Sequence, residues 1–426
     1  MSKIKTWYLR LNIFYRLLPF LLLYVIICVL LSENKLVYDE QRYMAFAKNL
    51  LAGFYSPPYP NYNLWNGPGY PLLMVPFVFL KLPLIWIKIL NAIFLYVSLI
   101  LSFKTFTFYA SKKASFLFTA LLGLYFPIYE QIPYIYTECL TWFLITLVCY
   151  LFLKNYQQKN ISWGIIFAAA LSISCLAMTK IIFGYVIEVM VFVSLFALFL
   201  PQTRSTAKKS ALIFLLSFIF CLPWLFYTHH VSRQSFYWGN SGSMSLYTMS
   251  SPYPNELGDW MTIPDLSESP NHKVFMDSIS KLNSLQKDEA YRAVAISNIR
   301  QHPGKYFFNW MNNIGRLLFS FPFSNAPQAV TNYFTIVPNM LIVFFILFSI
   351  IISILNYKKI PQDIILIMVF VFVYVFGSSL VSGYRRMFYV TMPIWFFFIL
   401  YVLNNFVTVQ IKRNQKKFIE KNFNES

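Results

Sequence analysis

Apolar residues fill this chain in long uncharged runs: Leu17–Ser32, Ile89–Phe103, Ala114–Tyr129, Cys139–Leu153, Asn160–Thr179, Val189–Thr203, Ser210–Ser232, Leu317–Tyr357, Ile364–Tyr384 and Met387–Ile411. Most approach or exceed the roughly 17–25 residues that carry a helix across a bilayer, and a Lys or Arg at one end makes up the span of the shorter ones. The runs predict helices over 12–31, 83–103, 114–128, 137–153, 161–179, 181–200, 210–228, 334–355, 362–381 and 388–408. The stretch Gly69–Leu80 is apolar too, but its 12 residues rise only about 18 Å as a helix, so it is read as interfacial or re-entrant. The expected fold is an all-α polytopic membrane protein of about ten transmembrane helices.

Two polar-rich stretches break the pattern, 32–83 and 229–332. They divide the chain into an amino-terminal membrane module (1–228), a large loop (229–332) and a carboxy-terminal membrane module (333–426). Within the large loop "GNSGSMSLYTMSSPYPNELGDW" reads as turns, and helix-like pattern follows at Leu285–Arg300 and Gly304–Phe319.

Charge sets the orientation. The formal net charge is +19, a value that by itself suits nucleic acid or an anionic surface. However, the basic residues gather in the short connections: Lys3, Lys5, Arg10 and Arg16; Lys104–Lys113; Lys154 and Lys159; Arg204, Lys208 and Lys209; Lys358 and Lys359; and Lys412, Arg413, Lys416, Lys417 and Lys421. Putting all of them on one side makes the predicted helices alternate, with both termini cytoplasmic and both long loops outside, as the positive-inside rule requires. This assigns the charge to topology and excludes nucleic acid. The five cysteines all lie in apolar segments, which excludes a disulfide framework. "ICVLLSENK" has no small-residue cleavage pattern, so the first run is expected to stay as a helix.

Candidate chemistry sits where acids and arginines appear on the outer face. "VYDEQRY" puts Asp39 and Glu40 just past the first run, with Arg42 and Tyr43 at i+3 and i+4 from Asp39 on a helix. Helix capping is the plainer role for such acids, and an anionic or sugar substrate is the other. Glu138 opens a later run beside Tyr129, Tyr134 and Tyr136. Lys180 falls in a short outer turn, and Glu188 lies deeper with no evident partner. Arg385 and Arg386, expected at the outer end of the ninth span, run against the positive-inside trend and suit phosphate; Lys88 has a similar status. The four histidines lie in the large loop without the spacing of a metal motif, and no phosphate-binding glycine loop or nucleophile elbow is present.

Taken in order, these features resemble the GT-C superfamily of integral-membrane glycosyltransferases, in the branch of the lipid A aminoarabinose transferases and protein O-mannosyltransferases. The resemblance is carried by "DEQRY" (Asp39 to Tyr43), "NGPGYPLLMVPF", Glu138 in "YTE", "MTK" (Met178 to Lys180), "PWLFYTHH", "IRQHPGKYFFNW" and "YRRMFYVTMP". It implies transfer of a sugar from a polyprenyl-phosphate donor to a hydroxyl of a lipid, glycan or protein acceptor at the outer face of a bacterial inner membrane, with inversion. It further implies Asp39 as base and Glu138 as a second catalytic acid. The donor phosphate falls to Arg385, Arg386, Lys88 and Lys180, and substrate contacts to Glu40, Arg42, Tyr43, Tyr70 and Tyr136. No cofactor is required, and a divalent cation is left open. The aminoarabinose branch carries a phosphate-contacting lysine just before its Pro/Gly-Tyr segment, where this chain has Asn66 and Gly67. A polysaccharide polymerase or ligase and a lipid-linked sugar flippase stay open beside this reading.

Overall fold

The structure is a computed structural model that describes residues 12–158, 160–325, 328, 330–381 and 383–408. The basic residues Lys3, Lys5, Arg10, Lys159, Lys412, Arg413, Lys416, Lys417 and Lys421 lie outside the described residues.

The described chain is helical and folds as expected into a polytopic membrane bundle. In order its helices are α1 (Ile13–Leu31), α2 (Asp39–Leu51), α3 (Gly69–Phe79), α4 (Leu84–Phe106), α5 (Lys112–Gly123), α6 (Glu138–Gln157), α7 (Trp163–Thr179), α8 (Ile182–Ala197) and α9 (Arg204–Ser232). The large loop carries α10 (Ser241–Met249), α11 (Ile263–Glu268), α12 (Lys273–Ile279), α13 (Ser284–Gln301) and α14 (Pro303–Phe319). Then come α15 (Tyr333–Leu355), α16 (Gln362–Ser379), α17 (Arg385–Tyr389) and α18 (Met392–Phe406). Among them α1, α4, α6, α9, α15 and α16 are long and apolar enough to cross a membrane alone, and α7, α8 and α18 are shorter apolar helices at other expected spans.

The buried core runs through α4, α6, α7, α8, α16 and α18, while α15 keeps one side of Phe334, Leu341, Phe344, Leu347 and Ile351 exposed for lipid. The large loop holds its own smaller apolar cluster, Met244, Tyr247, Met261, Leu266, Met276, Ile279 and Tyr291, with Trp65 and Trp260 packed against it.

Three expectations need correction. The span placed at 114–128 stops at Gly123, where Tyr24 and Tyr129 both donate hydroxyl hydrogen bonds to the Gly123 carbonyl. Pro127 then favours a 3-10 turn over Phe126–Gln131, because a proline cannot continue the α-helical ladder. The stretch read as turns contains α10, whose Met244 and Tyr247 bury in the loop cluster, so packing overrides the turn preference of its serines. Arg385 and Arg386 do not end the ninth span; they form α17, a separate one-turn helix.

Candidate active site

The long-loop end of the bundle gathers Asp39, Arg42, Glu138, Lys180 and Arg386 into one charged group. Asp39 opens α2, but it is the first helical residue and not a cap: Tyr38 precedes it with φ 46° and forms no side-chain cap bond. That left-handed backbone is strained for a tyrosine. Glu40 holds it in place. Its Oε2 accepts from the Val37 amide at 2.7 Å and its Oε1 from the Ile135 amide at 2.7 Å, stapling the start of α2 to the segment before α6. Lys88 lies 3.6 Å from Glu40 and donates to the Glu33 carbonyl at 2.9 Å. Asn91 donates to the carbonyls of Ile132 and Tyr134 and fixes the same segment.

So anchored, Asp39 turns its carboxylate to two guanidiniums. Arg42 Nη2 donates to Oδ1 at 2.6 Å and Arg386 Nη1 to Oδ2 at 3.0 Å. Burial pushes the Asp39 carboxyl up, but Arg386, Arg42 and Lys180 outweigh it and hold it below the usual carboxylate range. Arg386 in turn is raised by Glu138 and Asp39 against the opposing effect of burial, so it stays charged.

Glu138 is the first residue of α6 and is buried. Lys180 donates to its Oε1 at 2.8 Å, Arg386 Nε lies 3.8 Å from the same oxygen, and Oε2 has no partner among the described residues. Lys180 arrives as the residue that ends α7. The segment before α3 lies hard against that end: a Cβ on Gly67 would stand 2.1 Å from the Met178 carbonyl oxygen, and one on Gly69 would meet Thr179. The "NGPGYP" and "MTK" segments thus meet in a backbone contact that only glycine permits. Arg386 is positioned from the large loop. Asn313 of α14 donates to the Ser379 carbonyl at 2.6 Å and accepts from the Gly383 amide at 2.8 Å, which pins the connection into α17.

Other expected residues occupy different places. Tyr43 and Tyr70 are buried with rings edge-on at 5.2 Å. Tyr136 is half-buried, its ring 5.8 Å from the Arg386 guanidinium carbon. Glu40 and Lys88 form a sealed pair beneath the charged group. Arg385 points elsewhere, pairing with Glu130 at 3.0 Å. Glu188 receives a hydrogen bond from Trp238 Nε1 at 2.9 Å. His272 lies in the large loop between Tyr247 and Glu256, at 2.7 and 3.0 Å.

Four more residues complete the picture: Asn66, noted in the sequence only as a departure, and Trp65, Tyr384 and Glu130, which sequence reasoning gave no role. Asn66 accepts from Arg42 Nε at 2.6 Å and donates to the Tyr43 hydroxyl at 3.2 Å, at the place where the aminoarabinose branch has its lysine. Trp65 lies under the Arg42 guanidinium at 5.5 Å, and the Tyr384 ring is 5.4 Å from Arg386. Glu130, the partner of Arg385, had a usable signal: it is a lone acid between Pro127 and Pro133 in an apolar stretch.

Two carboxylates against three cations (Arg42, Lys180, Arg386) leave this group with a charge of +1, open on one side and walled by Trp65, Tyr136 and Tyr384. A divalent cation fits it poorly. Arg386 lies between the carboxylates, and no group of three His, Cys, Asp or Glu side chains suited to a metal occurs among the described residues. An anion fits it well.

The fold has a counterpart among solved structures. It matches the crystal structure of the Archaeoglobus fulgidus oligosaccharyltransferase tethered with an acceptor peptide containing the NVT sequon, at TM-score 0.51 and 15% identity, over 91% of this chain and 49% of that one. The archaeal oligosaccharyltransferase AglB from the same organism, in complex with an inhibitory peptide and a dolichol-phosphate, matches at 0.49 and 15% identity, over 91% and 50%. ArnT from Cupriavidus metallidurans bound to undecaprenyl phosphate matches at 0.41 and 12% identity, over 92% and 77%. The first match shows a shared fold, and the chain spans about half the length of that oligosaccharyltransferase. No protein-family model matches the chain, and no curated protein matches it.

Proposed function

We propose that this chain is a membrane glycosyltransferase that moves a sugar from a polyprenyl-monophosphate donor to an acceptor hydroxyl on a lipid, glycan or protein, with inversion. The observation that carries the proposal is the Arg386 bridge between Asp39 and Glu138, in a half-open group of charge +1 on a GT-C fold. The "DEQRY" resemblance supports the same assignment. The reaction takes place at the extracytoplasmic face of a bacterial inner membrane, with both termini cytoplasmic; the clustering of basic residues in the short connections of the sequence supports that orientation.

Asp39 is the base. As the acceptor oxygen forms its bond to the anomeric carbon, the hydroxyl proton passes to an Asp39 oxygen. The bond from the anomeric carbon to the phosphate oxygen breaks, and its electron pair leaves on the lipid phosphate. A carboxylate held ionised by two arginines is ready to take a proton at neutral pH. As the phosphate's charge grows, Arg386 is free to turn from Asp39 towards it, so the same guanidinium serves first the base and then the leaving group. Lys180 supplies further positive charge and keeps Glu138 in place, whose buried, unpartnered Oε2 has a free acceptor position for the acceptor hydroxyl. Half-exposed Trp65, Tyr136 and Tyr384 offer flat faces for a sugar ring.

The test is transfer by the purified full-length protein from radiolabelled polyprenyl-monophosphate sugars, beside the Asp39→Asn variant. The expected result is transfer or slow donor hydrolysis that the variant lacks. Wild-type turnover by the variant sinks the assignment of the base. No turnover with any monophosphate donor, together with tight binding of a diphosphate-linked glycan, favours a polymerase or a flippase.

A further inference from the structure

Arg385 and Arg386 are neighbours with opposite engagements. Arg386 belongs to the charged group; Arg385 Nη2 reaches Glu130 Oε2 at 3.0 Å, and its Nη1 makes only long contacts to Asn332 Oδ1 at 3.4 Å and Thr335 Oγ1 at 3.3 Å. Glu130 makes no other hydrogen bond among the described residues. Its side chain is 37% exposed and that of Arg385 29%. Burial raises the Glu130 carboxyl, and Arg385 alone among its neighbours opposes it. Glu40 is the contrast: fully buried and fixed by two backbone amides. Glu130 is therefore a carboxylate held by one replaceable partner.

The pair lies between the Phe126–Gln131 turn and the start of α15. The Phe126 and Phe334 rings meet edge to face there with centroids 6.3 Å apart, 40% and 64% exposed, and Tyr333 precedes Phe334 at 64%. An ion pair open to ligand and flanked by apolar rings is chemically suited to a phosphate that carries a long hydrocarbon tail.

We propose that Glu130 occupies, in the resting protein, the place on Arg385 that the donor's lipid phosphate takes first as it enters from the bilayer between the Phe126–Gln131 turn and α15, before Arg386 receives it. The proposal rests on the functional reading above and adds to it an internal competitor that sets donor affinity. Exchange of a carboxylate for a phosphate on one guanidinium keeps Arg385 paired throughout. A phosphate also gains a second, bidentate contact that a single Glu130 oxygen does not make.

The experiment measures binding of geranylgeranyl monophosphate to the full chain in phosphatidylcholine nanodiscs. Glu130→Gln is expected to tighten binding about fivefold, the worth of a partly exposed ion pair. Arg385→Gln is expected to weaken it by about tenfold or more, and adding Glu130→Gln to that variant changes nothing further. A gain of affinity is not what a damaged fold produces. Unchanged or weaker binding by Glu130→Gln overturns the competition alone. Equal displacement of the probe by phosphatidylglycerol makes the pair a general anchor for anionic headgroups and overturns the donor assignment. Equally tight binding of inorganic phosphate overturns the bilayer route. No binding of the isoprenoid phosphate by any form overturns both this proposal and the functional reading.

Discussion

Asp39 and Glu40 are adjacent acids with different surroundings. Glu40 faces down into a sealed region, where two amides and Lys88 satisfy it and no solvent reaches it. Asp39 faces a half-open region, where its partners are side chains that can turn: Arg42, 31% exposed, and Arg386, 30% exposed. Backbone amides cannot leave a carboxylate without moving the chain, whereas guanidiniums can exchange one anion for another. The sealed pair holds the architecture, and the open pair is free to do chemistry.

The largest effect expected from this contrast separates the two acids. Asp39→Asn lowers kcat by roughly 10²–10⁴-fold, the usual contribution of a positioned base, and leaves the thermal unfolding midpoint in place. Glu40→Gln does the reverse. It leaves Lys88 buried without a counter-charge, at a cost of about 3–5 kcal/mol of stability, while protein that remains folded keeps most of its turnover. Thermal unfolding in detergent and donor turnover, measured on both variants, check the pair together. A stable but inactive Glu40→Gln protein breaks the comparison.

A second variant asks whether the sealed pair is held by charge or by shape. Replacing both members, Glu40→Gln with Lys88→Met, removes the orphaned ammonium and is expected to recover about half or more of the lost stability. The two amides that Glu40 accepts still need an acceptor, and the glutamine carbonyl meets one of them. Unfolding of the double variant at the same temperature as Glu40→Gln indicates that the second amide bond, and not Lys88, carries the cost.

pH sharpens the open side. Transfer needs Asp39 ionised, so activity is present above its folded pKa and is lost as pH falls through it. Because Arg386, Arg42 and Lys180 outweigh burial and lower that pKa, the acidic limb of the kcat/KM profile lies below the ordinary value of about 3.9. Arg386→Gln removes the first of these cations and leaves burial less opposed. The limb then moves to higher pH, beyond any overall fall in rate. A profile that keeps its limb while losing amplitude shows that Arg386 acts on substrate alone.

Much of this was legible in the sequence because bilayer chemistry is written in long uncharged runs, and costly acids stand out against them. Asp39, Glu138, Lys180 and Arg386 were found that way, and the structure brings them together. The division between Asp39 and Glu40 was not legible. Both are acids on one helix turn, and the difference comes from Ile135, 95 positions away, whose amide reaches Glu40 and not Asp39. The same limit hid the separation of Arg385 from Arg386, since a five-residue helix leaves no periodicity to read. It also hid α10, whose serines favour turns until Tyr247 and Met244 find the loop cluster.

The smallest expected effect concerns Asn66, a neutral residue at the rim of the open region. It accepts from Arg42 Nε and leaves Arg42 Nη2 for Asp39, so it sets the angle of a guanidinium and not its charge. Asn66→Ala removes one hydrogen bond to a charged group. The expected loss is about 1.5 kcal/mol, roughly tenfold in kcat/KM, with the acidic limb unmoved because Arg42 and Arg386 both remain. Asn66→Lys puts a cation where Arg42 Nε now finds an acceptor at 2.6 Å, raising the charge of the group from +1 to +2. Donor binding then tightens if the added charge reaches the phosphate, and kcat falls because Arg42 is driven from Asp39. A lower KM with a lower kcat marks Asn66 as the residue that keeps this site neutral enough to release its product. A loss in both parameters restricts it to bracing Arg42.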